Sequence, residues 1–404
     1  MALPYRQRSG RAEENLMDTR QFIAEHLNDD VHELALRYSN AKVDMALALR
    51  QIEARQLLRK KVPSWSDNDD LLFPPHLSIE QCSSEATALY KASLLQGSSF
   101  VDLTGGLGID CFFLSRHFQK ADYVELNPEL CLLAEHNFGA LGISAQVHNE
   151  SAETYLTHCD PVEVIFLDPA RRDAYGRKTV SIADCTPDVI AMQDLLLQKA
   201  RRVMVKLSPM LDIAKALEQL RHVSEVHVVA VANECKELLL VMEPGYEDAS
   251  VFIGVNLQSG QPPFRFTREE EQQASPAFAP VPLQYLYEPN AVLMKAGCFK
   301  LLAQRYQVRM LHANSHLYTS EQKVPGFPGR IFQVEGWAPF SKKLGQTLLA
   351  DVDKASIATR NFPLTVAALR KTWKIADGDE IYLFATTLAN GQKAVVKCRK
   401  TAVE

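Results

Sequence analysis

The chain has 404 residues, 47% of them apolar and 23% charged, and a formal net charge of −5. That length exceeds what one hydrophobic core usually serves, so two or three domains are expected. The composition excludes long disorder, collagen-like repeats and fibrous arrays, and the mild charge excludes a uniformly basic nucleic-acid binder.

Eight cysteines occur without a Cys-x-x-Cys pair, which argues against a zinc site or a disulfide framework. No metal is expected. Met1–Met17 is polar and basic, and no apolar run reaches the roughly 18 residues of a membrane span. A cytoplasmic protein with no membrane association is the expectation. Charge is uneven: Arg37–Lys61 carries seven Lys or Arg against two Asp or Glu, and Lys354–Glu404 nine against four, each a net +5.

Residues 1–76 read as a helical N-terminal domain. Phe22, Ile23, Leu34, Leu36, Val43, Leu47, Leu49, Ile52 and Leu57 fall at helical spacing, uninterrupted by Gly or Pro until Pro63 and Pro74-Pro75. Residues 77–257 read as a doubly wound α/β core: a helix over Ser84–Leu95, then strands at Ser99–Leu103, Asp122–Glu125, Ala145–His148, Val162–Asp168, Arg202–Lys206, Glu225–Ala232 and Leu238–Glu243. The last two, joined by a short turn, must be antiparallel. Residues 258–282, rich in Gln, Pro, Ser and Glu, read as a linker or excursion. Residues 283–404 form an α+β unit, with helices at Met294–Gln304 and Leu364–Trp373 and strands at Ile331–Val334, Glu380–Ala385 and Ala394–Cys398.

The chemistry gathers at predicted strand ends. Phe100-Val-Asp-Leu-Thr-Gly-Gly-Leu-Gly-Ile-Asp110 is a strand running into a glycine-rich turn and a helix, where backbone can approach a ligand closely. Cys111 at the third glycine position of Gly-x-Gly-x-x-Gly argues against pyrophosphate binding. Glu125 follows the second strand, Glu150-Ser151-Ala152 the third and Asp168-Pro169-Ala170-Arg171-Arg172-Asp173 the fourth. Each carboxylate alone fits a helix cap or turn; four at one sheet edge are hard to explain by packing.

In these motifs residues 77–243 resemble the class I S-adenosylmethionine-dependent methyltransferases. The resemblance implies S-adenosylmethionine as cofactor. It implies that Asp102, Thr104, Gly105, Gly106 and Gly108 cradle its methionine part, that Glu125 with Asn127 holds the ribose, and that Glu150, Ser151 and Ala152 frame the adenine. Asp168 and Pro169 stand at the Asp/Asn-Pro-Pro-aromatic motif of amino-group methyltransferases, which marks them as catalytic. Asp168 would also touch the donor. Ala170 and Arg171 depart from that motif. Gln81 and Ser84 lie where trimethylguanosine-synthase-like RNA methyltransferases close a segment over the donor.

The whole chain resembles a bacterial group with this core and a THUMP-like, ferredoxin-like C-terminal domain, its hallmarks here being Tyr287-Glu-Pro-Asn290, His316-Leu-Tyr318 and Arg360-Asn-Phe-Pro363. That implies an RNA partner, tRNA or rRNA. Arg171, Arg172 and Lys206 are the candidate substrate contacts, by phosphate neutralisation. Tyr175, Phe327 and Trp373 are candidate base-stacking rings, and Trp65 and Trp337 are assigned to packing. The expected reaction is direct methyl transfer to an RNA base, with Asp168 orienting the nucleophile; a covalent cysteine is disfavoured because none stands at a strand end facing the donor. The alternative is a protein or small-molecule substrate, with the C-terminal unit as a docking module. The sequence leaves the oligomeric state open.

Overall fold

Aspartates start the first long helices of the computed structural model, which describes residues 19–38, 43–74, 76–171, 182–344 and 347–401. After a helix at 19–25 (α1), Asp30 accepts hydrogen bonds from the His32 and Glu33 amides to begin α2 (Val31–Arg37). Asp44 accepts from the Leu47 amide to begin α3 (Met45–Lys61). Short helices α4 (Pro63–Ser66) and α5 (His76–Gln81) precede α6 (Glu85–Leu94), which Ser84 caps.

Two compact units are present, one running to Ser224 and including Leu238–Glu247, the other comprising Glu225–Glu237 and Asp248 onward. In the first unit the strands are β1 (Gly97–Asp102), β2 (Phe118–Val124), β3 (Ala145–His148), β4 (Val162–Leu167), the short antiparallel pair β5 (Ala170–Arg171) and β6 (Cys185–Thr186), and β7 (Ala200–Leu207). Between them run α7 (Ile109–Ser115), α8 (Pro128–Leu141), α9 (Ala152–His158) and α10 (Val189–Lys199), with α11 (Ile213–Gln219) following β7. Strands β3, β2, β1, β4 and β7 lie side by side in that order, all parallel. After β8 (Val223–Val231), Ala232 and Asn233, both at positive φ, reverse the chain into β9 (Glu234–Met242), which pairs antiparallel to β7. This is the doubly wound α/β arrangement, with an antiparallel return strand. Its parallel strands deliver all their C-terminal ends to one edge.

The N-terminal helices are fastened to this sheet by side chains. Gln51 makes two hydrogen bonds with the Phe73 backbone, and Asn137 of α8 does the same with Leu72, at 2.9–3.1 Å. Trp65, fully buried, meets the Phe112 ring edge-on at 5.6 Å. Arg55 overturns an expectation: it is buried, and its guanidinium donates to the carbonyls of Ser66, Asn68, Asp69 and Leu71. It therefore belongs to the scaffold and cannot serve the basic surface that Arg37–Lys61 predicted. Lys61 likewise caps α5, donating to the Ile79 and Glu80 carbonyls.

In the second unit β10 (Val251–Leu257) runs parallel to β8 and antiparallel to β11 (Phe264–Thr267). The segment 258–282, read as irregular, thus carries β11 and α12 (Arg268–Gln273). The reason is local: Thr267 and Glu270 form a reciprocal capping box. After β12 (Tyr285–Pro289), the helix expected at Met294–Gln304 is divided into α13 (Ala291–Ala296) and α14 (Lys300–Arg305), because Gly297 takes φ +72° and ends the first.

The remaining strands are β13 (Arg309–Met310), β14 (Tyr318–Ser320), β15 (Gly329–Pro339), β16 (Ser356–Arg360), β17 (Ile381–Thr387) and β18 (Lys393–Lys400), with α15 (Val366–Trp373) after β16. The sheet order is 13-14-12-15-18-17-16. The three C-terminal hallmarks serve this sheet. Buried Glu288 accepts from both Arg330 and Arg360, and Tyr287 donates to or accepts from Ser320 at 2.7 Å. Phe327 is buried against Tyr287, Tyr306 and Tyr318, and Trp373 packs on a core cluster with Leu369 and Ile375. Phe327, 2% exposed, is closed to a base, whereas Trp373 is half-buried. Trp337 packs against the other cluster of this sheet, as assigned.

Candidate functional site

The glycine turn after β1 is shaped by its own neighbours. Gly106 and Gly108 sit at φ +54° and +85°, where a side chain would be strained. A Cβ on Gly105 would lie 2.1 Å from the Tyr123 ring, so that glycine exists to let Tyr123 pass beneath the turn. The Tyr123 hydroxyl, its acidity suppressed by burial, donates to the Gly106 carbonyl at 2.6 Å. Glu125 spans the turn from β2: one carboxylate oxygen accepts from the Gly106 amide at 2.9 Å, the other from the Asn127 amide at 2.8 Å.

Around this turn stand the other predicted residues. Asp102, at the end of β1, is buried and accepts from the Thr104 amide at 3.0 Å. Burial raises its carboxyl well above the usual range; that amide opposes the shift, and the negative charges of Asp110, Asp168 and Glu125 add to it. The Thr104 hydroxyl receives the Asp168 amide at 2.6 Å, tying the β4 end to the β1 turn, and Pro169 is buried behind it.

Several predicted ligands act as local caps. Asn127 caps α8 by accepting from Glu129, Ser151 caps α9 by accepting from Thr154, and Ser84 caps α6 by accepting from Thr87. Buried Ala152 opens α9, and Glu150 pairs with His158 at 2.9 Å. Gln81 is exposed at the end of α5. The structure thus draws Asp102, Thr104, Gly105, Gly106, Glu125 and Asp168 into one constellation. Arg171 lies in β5; Arg172, Asp173 and Tyr175 lie outside the described residues.

Lys206 departs from its predicted part as a phosphate contact. Its ammonium is largely buried, 2.5 Å from an Asp168 oxygen and 3.1 Å from the Ser83 hydroxyl. Ser83 also accepts from the fully buried Lys91 at 3.1 Å and donates to Asp110 at 2.6 Å, while Lys91 approaches the other Asp110 oxygen to 3.1 Å. Burial would raise the Asp110 carboxyl, but Lys91, then Lys206 and the Ser83 hydroxyl, outweigh it and hold it below the usual range. Ser83, Lys91 and Asp110 were missed by the residue-type reading. The available signal was Lys91 itself, a lysine on the same helical face as Thr87, Ala88 and Ala92, all buried.

The fit to a cationic donor follows from charge. Three carboxylates converge on the glycine turn, and the Asp102 carboxyl is raised first by burial and then by the negative charges around it, so a sulfonium and an ammonium group would relieve that repulsion. Among the described residues no group of three or more His, Cys, Asp or Glu is placed to hold a metal, and no helix is long and apolar enough to cross a membrane.

Comparison with known proteins agrees with this geometry. A protein of Porphyromonas gingivalis W83, provisionally named a methyltransferase, has a crystal structure 37% identical in sequence that covers 96% of this chain and 99% of its own, with a TM-score of 0.85. Curated proteins from two strains of Mycobacterium tuberculosis, named as S-adenosylmethionine-dependent methyltransferases, are 23% identical over 316 residues, 78% of this chain and 84% of theirs. Residues 285–328 match a ferredoxin-like domain family and residues 329–400 a family described as THUMP domain-like. The chain belongs to the class I S-adenosylmethionine-dependent methyltransferases, in the group that carries a C-terminal THUMP-like domain.

Proposed function

We propose that this enzyme methylates a base in RNA, with tRNA or rRNA as the substrate class. The observation that carries the reading is charge separation: residues 285–400, the span of the ferredoxin-like and THUMP-like matches, hold 17 Lys and Arg against 8 Asp and Glu, a net +9 in a chain whose total is −5. A polyanion gains by releasing counterions to such a module, and binding of this kind weakens steeply with salt. The exposed side chains of Lys371, Lys374 and Lys400 belong to it.

The bound donor supplies an electrophilic methyl on a sulfonium. Glu125 fixes the glycine turn and keeps free lone pairs for ribose hydroxyls, Asp102 faces the cationic end, and Asp168 orients the nucleophile by accepting a hydrogen bond from it. Little acid–base chemistry is required of the protein. Tritium from labelled S-adenosylmethionine should enter a tRNA or rRNA fraction and no protein extract; label only in protein would replace this reading with the docking-module alternative.

Asp102 makes a second expectation about pH. Its carboxyl is raised by burial and by neighbouring negative charge in the free enzyme, and a cationic ligand lowers it again. Binding therefore releases a proton at pH values between the free and bound titrations, and affinity rises as pH rises through that window. Calorimetry in buffers of different ionisation enthalpy should detect the released proton, and Asp102→Asn should abolish it.

A further inference from the structure

The C-terminal hallmarks bring together a pair of guanidinium groups that the donor site does not use. Glu288 on β12 and Arg330 on β15 are cross-strand partners, and Arg360 ends β16. The Glu288 carboxylate, 4% exposed, accepts through one oxygen from Arg330, whose Nε lies at 2.8 Å, and through the other from Arg360 Nη2 at 2.7 Å. Among the described residues neither Nη1 has a hydrogen-bond partner, and the two arginine side chains are 40% and 33% exposed. Arg55 shows the contrasting case of a purely structural arginine: it is 5% exposed and sets both terminal nitrogens on backbone carbonyls. Arg330 is steadied further by the Phe332 and Tyr382 rings, 5.5 and 5.7 Å from its Cζ. Beside Arg360, polar groups are left over. Thr386, its register partner on β17, has a buried hydroxyl, and His316, whose pKa is lowered by burial and then by the Arg360 charge, has a buried Nδ1. Neither atom has a hydrogen-bond partner among the described residues. His316 and Asn361 both hold left-handed backbone, at φ +52° and +51°.

We propose that Arg330 and Arg360, fixed on the one carboxylate of Glu288, form a phosphate clamp that holds an RNA strand on the C-terminal unit. The inference rests on the RNA reading above. Two guanidinium groups against one carboxylate leave a single positive charge, which matches a phosphodiester, and each unused Nη1 can donate to a phosphate oxygen. Glu288 also offsets the repulsion that would drive two arginines apart. Both are therefore in place before the anion arrives, and little side-chain freedom is lost on binding. The net +9 of residues 285–400 makes a polyanion the favoured occupant over a small carboxylate. Glu288, His316 and Arg360 come from the three separate hallmarks, which gives those motifs a task beyond the packing of the sheet.

Fluorescence anisotropy with the full-length protein tests this, using dodecauridylate with and without a 5′-phosphate over a series of salt concentrations, with melting temperatures recorded for every variant. Arg330→Gln and Arg360→Gln should each weaken binding about tenfold at low salt and flatten the slope of log K against log salt by up to about 0.7, the share of one single-strand phosphate. Glu288→Gln supplies the discriminating sign. It adds a positive charge, so an effect of net charge alone would tighten binding, whereas loss of the clamp should weaken it several-fold. Arg330→Lys keeps the charge and loses the planar fork; it should also weaken binding, and it decides the matter if Glu288→Gln does not fold. A preference for the 5′-phosphorylated strand that disappears in the Arg→Gln variants assigns the clamp to a terminal phosphate, and equal affinities assign it to a backbone one; either supports the proposal. Arg→Gln variants that bind like wild type, tighter binding by Glu288→Gln, or unchanged binding by Arg330→Lys overturns it. A wild-type protein that binds neither strand overturns it too, even if inorganic phosphate raises the melting temperature. No methyl transfer is read, so failure of the RNA-substrate reading shows separately, as dodecauridylate held through the two arginines while tritium enters no RNA fraction.

Discussion

Asp168→Ala is expected to lower turnover about 10²-fold on the RNA fraction that accepts label, the scale of a nucleophile-orienting contact made mainly in the transition state. The structure adds a second effect. Removing the carboxylate leaves the Lys206 ammonium, 2.5 Å from the lost oxygen, facing the region a cationic donor must enter. Donor affinity should therefore fall several-fold in Asp168→Ala and recover in Asp168→Ala/Lys206→Met, while turnover stays low in both. Asp168→Asn keeps an oxygen that can accept a hydrogen bond and should retain part of the rate. If Asp168 only braced the following segment, its loss would cost roughly the 1 kcal/mol of a cap and spare turnover. Steady-state rates, calorimetry and melting curves on the same three variants separate these outcomes.

Lys91→Met should produce the largest loss of stability in the catalytic unit, about 3–5 kcal/mol near neutral pH. It removes a fully buried cation and leaves Asp110 short of its main countercharge. The pH dependence has a definite sign. In the wild-type protein the Asp110 carboxyl titrates below its unfolded value, so its contribution is present above the unfolded pKa and fades as pH falls through the folded one. Without Lys91, burial raises the same carboxyl, and the variant regains ground as acid neutralises it. The gap between the two proteins in chemical denaturation should narrow from pH 7.5 to pH 5. Lys91→Met/Asp110→Asn should recover much of the loss; a gap independent of pH and untouched by the second substitution would refute this account.

The parallel sheet and its glycine turn were legible in the sequence because each rests on a local pattern. Apolar runs of strand length alternate with helical periodicity, and Gly106 and Gly108 occupy positions that demand positive φ. The chain sequence also exposed the carboxylates that follow β1, β2, β3 and β4, since parallel strands bring their ends to one edge. What it concealed are partnerships between elements far apart in the chain. Lys206 and Ser83 are separated by 123 positions, and no spacing rule connects them.

Arg55 failed for a related reason. Its helix is periodic enough to be recognised, yet the buried face mixes Gln51 and Arg55 with Ile52 and Leu58, so residue type does not reveal which polar groups point inward. Lys206 is the same error in reverse chemistry: a lysine at a strand end reads as a phosphate contact until a carboxylate is found beside it. In 258–282, composition outweighed a Thr-x-x-Glu capping signal that was present at Thr267 and Glu270.

The strap at Leu71–Phe73 has a consequence for how such an enzyme can be assembled. Side-chain amides from α3 on one side and α8 on the other take the place of neighbouring strands, with Arg55 gripping the carbonyls just before it. A chimaera that joined residues 77–247 to a foreign leader would strand the fully buried Asn137 without partners, uncover Phe112 where Trp65 now lies, and release the α5 end from which Ser83 reaches Lys206. The catalytic sheet is therefore not a portable cassette. The helices ahead of it must be inherited with it, and shuffling of this enzyme by recombination should spare the junction near residue 76.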